Sequence, residues 1–159
     1  MENSIVVRKA LHSEIEYIIS LGQMLQNESK DYEPLLTFDK NSAISRYRQE
    51  LINDNALIIV AIINKEIVGY QYSFIHKLDY LMSNNLECVY EAIFVLPKWR
   101  SQGIARKLIS FSENWAINDM HADRISAYIY SNNIASEMLH KSLGFEPYNI
   151  EYVKKINKQ

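Results

Sequence analysis

The chain has 159 residues, enough for one domain with a single core, of which 48% are hydrophobic and 23% charged. A formal net charge of -2 argues against a general nucleic-acid binder, which needs a basic face. The single cysteine, Cys88, rules out an intramolecular disulfide, and His12, His76, His121 and His140 are scattered without metal-ligand spacing. MENSIVVRKA lacks a signal-like apolar run and no stretch reaches transmembrane length, so a cytoplasmic protein with no structural metal and no membrane span is expected.

In chain order, SIVVRKA (4–10) reads as a short strand. Ser13, with Glu16 three residues on, forms a capping-box pattern for a helix that carries Ile15, Ile18, Ile19 and Leu25 at helical spacing. The loop at 27–36 is polar, acidic and aromatic. Asp39 caps a second helix through about Leu51, with Ile44, Tyr47 and Leu51 on one face. ALIIVAII (56–63) is a wholly apolar strand, the mark of burial on both faces, and NK at 64–65 joins it in a hairpin to 66–78. A strand at 87–96 ends at Pro97. A helix follows over about 103–118, then a strand at 124–130. The helix at 132–143 has Gly144 at C′, and NIEYVKKI is a last strand. The order β-α-α-β-β-β-α-β-α-β predicts an α/β (α+β) domain spanning 1–159, a mixed central sheet with helices on both faces.

One segment runs against helix electrostatics. LPKWRSQGIARKLI (96–109) places Lys98, Arg100, Arg106 and Lys107 around the start of a helix, the positive end of its dipole. It also spends one of only four glycines, Gly103, at that point. Unpaired N–H groups, a glycine that admits close approach and surrounding cations suit a phosphate or pyrophosphate better than a merely solvated basic face. No GK[ST] follows, so this is not a P-loop, and GxGxxG is absent, so it is not a dinucleotide fingerprint.

RSQGIA, from Arg100 through Ala105, resembles the Arg/Gln-x-x-Gly-x-Gly/Ala pyrophosphate loop of the GCN5-related N-acetyltransferases. EAIFVLPKWR before it is similar to that superfamily's fourth strand, and NNIASEMLHKSLGF (132–145) to its Asn-x-x-Ala-x-x-x-Tyr-x-x-x-Gly-Phe helix. The resemblance implies acetyl-CoA as the bound donor. Arg100, Ser101, Gln102, Gly103, Ile104, Ala105 and Arg106 would hold its pyrophosphate, with the backbone amides of 101–106 as the cradle. The main chain of Ile93, Phe94 and Val95 would pair with the pantetheine arm, in the gap where the fourth and fifth strands splay apart. Asn133 would hydrogen-bond that arm, with Ser136 beside it where the family has Ala. His140 stands where the family has the Tyr that protonates the leaving thiolate.

Transfer to an amine requires the neutral amine, and an alkylammonium at about pKa 10.4 resists that at neutral pH by roughly 4–5 kcal/mol. Glu91, just before the expected pantetheine contact, is the candidate base, and Glu87 shares its face unless a bulge intervenes. Either could instead sit in a cross-strand ion pair. The acceptor wall is expected from Glu28, Asp31, Tyr32, Glu33, Tyr70, Tyr72, Tyr80, Tyr128 and Tyr130, with Tyr32, Glu33, Tyr72, Glu87 and Tyr128 as substrate contacts. Such a wall suits a small cationic amine, polyamine-like or aminoglycoside-like, although strand tyrosines are also ordinary half-buried residues. Cys88 reads as a buried thiol rather than a nucleophile. Two alternatives stand beside this: an acyl-CoA-binding regulatory module, because the usual Tyr is missing, and a protein or peptide acetyltransferase with an open groove. Homodimers are common in the superfamily, so the resemblance admits one.

Overall fold

The computed structural model describes residues 4–78, 85–154 and 156. It divides into two compact units, 1–128 and 129–159. The first holds β1 (Val6–Lys9), α1 (Ile15–Ser29), α2 (Lys40–Glu50), β2 (Ala56–Ile63), β3 (Glu66–Lys77), β4 (Leu86–Val95), α3 (Ile104–Asn114) and β5 (Arg124–Ala127). The second holds α4 (Ile134–Lys141).

The five strands form one sheet in the order β1-β2-β3-β4-β5. The first three pairings are antiparallel and β4–β5 is parallel. The two-residue hairpin turn has Asn64 and Lys65 at φ 50° and 67°, the paired left-handed conformation that matches strand twist. The apolar run of β2 is explained by its two covers. Ile58 and Val60 join Tyr70, Tyr72 and Phe94 in a core with Ile15, Ile18, Ile19 and Leu21 of α1. The alternate residues Leu57 and Ile59 are equally buried. That other face carries α3, where Ser112 and Ser73 share a 2.9 Å hydrogen bond. Helices therefore lie on both faces, as expected.

Three local expectations are corrected. Ser13 does not cap α1, because a tight turn over His12–Glu14, with Glu14 N–H donating to Leu11 O, delays the helix to Ile15. Glu14 does the reciprocal work: its carboxylate accepts from Leu11 N–H at 2.8 Å. The predicted strand at 124–130 pairs only through Ala127. The last strand, NIEYVKKI, does not form: 149–154 and 156 join no ladder and Ile150, Tyr152, Val153 and Ile156 are exposed. Alternation gives a segment strand propensity, but a strand exists only against a partner edge.

The α3 helix passes at its end into a π-helical turn, Trp115–Asp119. In the second unit Asn133 caps α4, its side chain accepting from Ser136 N–H at 3.2 Å. Gly144, at φ 88°, closes the helix. Phe145 N–H donates to His140 O and Gly144 N–H to Lys141 O, the Schellman pattern that needs a left-handed C′ residue.

Candidate active site

The loop leaving β4 is built around two left-handed residues. Ser101 has φ 62°, and Gly103, the N-cap of α3, has φ 77° and ψ 6°. The first helical bond is Lys107 N–H to Gly103 O, so the N–H groups of 104–106 open the helix without an i−4 acceptor. Alternating right- and left-handed backbone turns successive amides to one side and makes an anion-binding concavity. A Cβ added at Gly103 would meet nothing within 4 Å, so the glycine serves backbone conformation and approach, not packing. Ser101, Gln102 and Arg106 are exposed and Ala105 half-buried. The Ile104 side chain is buried, leaving its backbone to the loop.

Lys98 and Arg100 each hold a carboxylate. Lys98 lies 3.6 Å from Glu66. The Arg100 side chain donates to both Glu28 oxygens (2.8 and 2.9 Å) and, through Nε, to Val95 O (2.9 Å). Its guanidinium stacks 5.3 Å over the Phe94 ring.

Beside this loop β4 has an open edge. The β3–β4 ladder runs out to Gly69↔Val95, taking in Gln71↔Ile93 and Tyr70↔Phe94. The β4–β5 ladder stops at Tyr90↔Ala127. Residues 91–95 therefore have no strand on that side among the described residues, and their outward backbone groups need other partners. A bulge in the β3–β4 ladder falls at the same level: Tyr72 pairs with Ala92 and Ser73 with Tyr90, so Glu91 is the extra residue.

The carboxylates separate by environment. Glu87 is buried and accepts from Arg124 Nε at 2.7 Å, a cross-strand ion pair. Glu91 is 40% exposed at its side chain and 3.7 Å from Arg46 Nη2. Arg46 also covers the Tyr72 ring at 5.5 Å. Tyr70 and Tyr72 are core residues, not an open wall, and burial pushes both phenols up to about 12. Tyr47 edges both rings from α2. Arg46, Glu50, Asn53, Asn55, Tyr72 and Phe74 line a recess of about 170 Å³ on this side. A larger cleft of about 480 Å³, with Glu16 and Arg48 on its wall, shares no residue with it.

The remaining acceptor candidates are dispersed. Tyr32 and Glu33 are half-buried after α1, with Glu33 accepting from Leu35 N–H at 3.0 Å. Tyr128 is 87% exposed. Tyr80 lies outside the described residues. Cys88 is fully buried, and burial raises its thiol to about 12, which leaves it inert as a nucleophile.

In the second unit His140 is 3% exposed. Its Nδ1 lies 2.8 Å from Ser136 O, so Nδ1 carries the proton and donates. Nε2 is buried with no hydrogen-bond partner among the described residues. The ring meets Phe145 edge-on at 5.1 Å.

Sequence reasoning missed Arg46. Nothing local in SRYRQE marks it, because its partners Tyr72 and Glu91 are contributed by distant strands. The Arg100–Glu28 pair was equally hidden, although each residue was singled out.

Residues 22–145 match the family model described as Acetyltransferase (GNAT) family. A stretch of 56 residues is 39% identical to an aminoglycoside N(6')-acetyltransferase type 1 of Salmonella typhimurium, covering 35% of this chain and 38% of that protein's length. Among solved structures, AAC(6')-Iy in complex with the bisubstrate analogue CoA-S-monomethyl-acetylneamine superposes with a TM-score of 0.77 at 22% identity, over 96% of this chain and 99% of that one. A tetramutant of the BH1408 protein from Bacillus halodurans gives 0.83 at 15% identity, over 95% and 99%. At these identities the structural likeness is one of fold. Among the described residues no helix is long and apolar enough to cross a membrane. With the family match running through the cradle, the open edge of β4 and the α4 motif, the chain belongs to the acetyltransferase (GNAT) family.

Proposed function

We propose that this chain binds acetyl-CoA and transfers its acetyl group to the primary amine of a small, cationic acceptor by direct attack on the thioester. The observation that carries it is the left-handed loop at 101–103 opening α3 beside the unpaired edge of 91–95. The group fits: a pyrophosphate suits the 104–106 amides, and an amide-bearing arm suits a bare strand edge. When bound, acetyl-CoA supplies an activated acyl carbon. Arg100 shapes the loop entry, and the amides of 101–106 neutralise the anion. The β4 main chain at Ile93, Phe94 and Val95 orients the arm, with Asn133 and Ser136 assigned to it by family pattern.

Glu91 takes the proton of the acceptor amine as the C–N bond forms. In its imidazolium form His140 keeps Nδ1–H on Ser136 O and passes its Nε2 proton to the departing thiolate as the C–S bond breaks, which leaves the neutral Nδ1–H ring. Glu33, Glu50 and Glu91 supply negative charge for a cationic acceptor, and the aminoglycoside acetyltransferases among the relatives support that class. Tyr32 and Tyr128 would add contacts, whereas Tyr72 and Glu87 act from beneath the surface. Both units are read as one acetyltransferase domain, since the family match spans them. A cytoplasmic location belongs to the same reading.

Incubation with acetyl-CoA and a panel of polyamines, aminoglycosides and amino-acid amides, following thiol release, tests this. Turnover on cationic amines is expected. CoA binding without turnover on any amine would instead make the chain an acyl-CoA-binding module. His140→Ala is expected to lower the maximal rate and change its pH dependence; an unchanged rate at every pH removes His140 as the acid.

A further inference from the structure

We propose that the Glu28–Arg100 pair is a coupling link through which occupancy of the pyrophosphate cradle positions the acceptor loop. This rests on the proposed acetyl-CoA site and adds to it a route between the two substrates. Arg100 immediately precedes Ser101, the first left-handed residue of the cradle, so its backbone cannot move independently of the loop. Its side chain is fixed at three points: Nη2 on both oxygens of Glu28, Nε on Val95 O, and the stack on Phe94. A lysine, with a single nitrogen, could reach Glu28 but could not hold Glu28 and Val95 O together while stacking on Phe94.

Glu28 sits in the last turn of α1, and the acceptor loop hangs on that turn. Tyr32 N–H donates to Ser29 O at 3.0 Å and Glu33 N–H to the same oxygen at 2.9 Å. A path of backbone links and hydrogen bonds thus runs from Ser101 through Arg100, Glu28 and Ser29 to Tyr32 and Glu33. As a surface ion pair it would add little stability. As a two-pronged contact between a cofactor loop and an acceptor loop it transmits geometry. An anion that fixes Ser101 fixes the guanidinium, hence the end of α1, and the effect is reciprocal.

Amide hydrogen exchange with CoA as the probe tests this. In the wild-type chain, CoA is expected to slow exchange at 104–106 and, by about fivefold or more, at Tyr32 and Glu33. In Glu28→Gln the protection at 104–106 persists while that at 32–33 is lost. Arg100→Lys, which keeps the charge but cannot hold Glu28 and Val95 O at once, must show the same loss, and it decides the matter if Glu28→Gln disturbs α1 without CoA. Unchanged protection at 32–33 in these variants overturns the link, as does wild-type protection confined to 104–106. No CoA binding by the wild-type chain overturns the proposed function and the link with it.

Discussion

Replacing Gly103 by Asp and, separately, by Asn isolates the charge logic of the cradle. Both side chains enter open space, since a Cβ there meets nothing within 4 Å. Both carry the cost of a left-handed residue at φ 77°, about 1–2 kcal/mol for most residues and less for these two, which can hydrogen-bond locally. Asp at a helix N-cap recovers roughly 0.3–1 kcal/mol from the dipole, so the Asp variant is expected to melt no lower than the Asn variant. The pair differs at an anion site. A carboxylate about 5 Å from a bound phosphate, at an effective dielectric of about 20–80, opposes it by roughly 1–3 kcal/mol. CoA should therefore bind Gly103→Asp roughly 5- to 150-fold more weakly than Gly103→Asn. Isothermal titration calorimetry reads both affinities, and added salt should narrow the gap. Equal affinities in the two variants, at low salt and with both folded, would refute a pyrophosphate at this helix start.

Gly69→Ala should be more damaging to the fold than its size suggests. The new Cβ would stand 2.7 Å from Phe94 O and 3.2 Å from Val95 Cγ2, and the backbone oxygen can yield only if β3 and β4 part. Urea unfolding should show about 1–3 kcal/mol of destabilisation; no change would mean the strands separate freely. Cys88, with its thiol raised to about 12 by burial, should resist a thiol reagent at pH 8 in the native chain and react fully once unfolded. Native labelling within minutes would contradict that burial. The Arg8 hydrogen bond, the largest cause, holds the Glu14 carboxyl below its ordinary range. The native state therefore takes up that proton less readily than the unfolded chain. The contribution is complete above about pH 4.3, the unfolded value, and is lost as pH falls through the lower folded value. Melting curves from pH 6 to 3 should show Glu14→Gln less stable than wild type at pH 6, the gap closing toward pH 3. A gap that persists at pH 3 would assign Glu14 a role other than its charge.

What the sequence by itself determined was whatever depends on near neighbours. The Asn64–Lys65 hairpin, the Asp39 and Asn133 caps, Gly103 before α3 and Gly144 after α4 are all set within a few residues, where turn dihedrals and unpaired amides leave little choice. The double-sided burial of β2 was legible because an unbroken apolar run has no solvent face. Tertiary structure decided the rest. Ser13 lost its cap to a tight turn that Arg8 and Glu14 brace from outside the helix. NIEYVKKI had the alternation of a strand and joined no edge. The bulge that frees Glu91 is a mismatch in length between two strands, visible only once they are paired. Arg46 beside Glu91, and Glu28 on Arg100, join residues whose separation along the chain carries no periodic signal. Side chains find such partners only after helices are laid on a sheet, so the carboxylates nearest the expected chemistry were legible as residues and not as an environment.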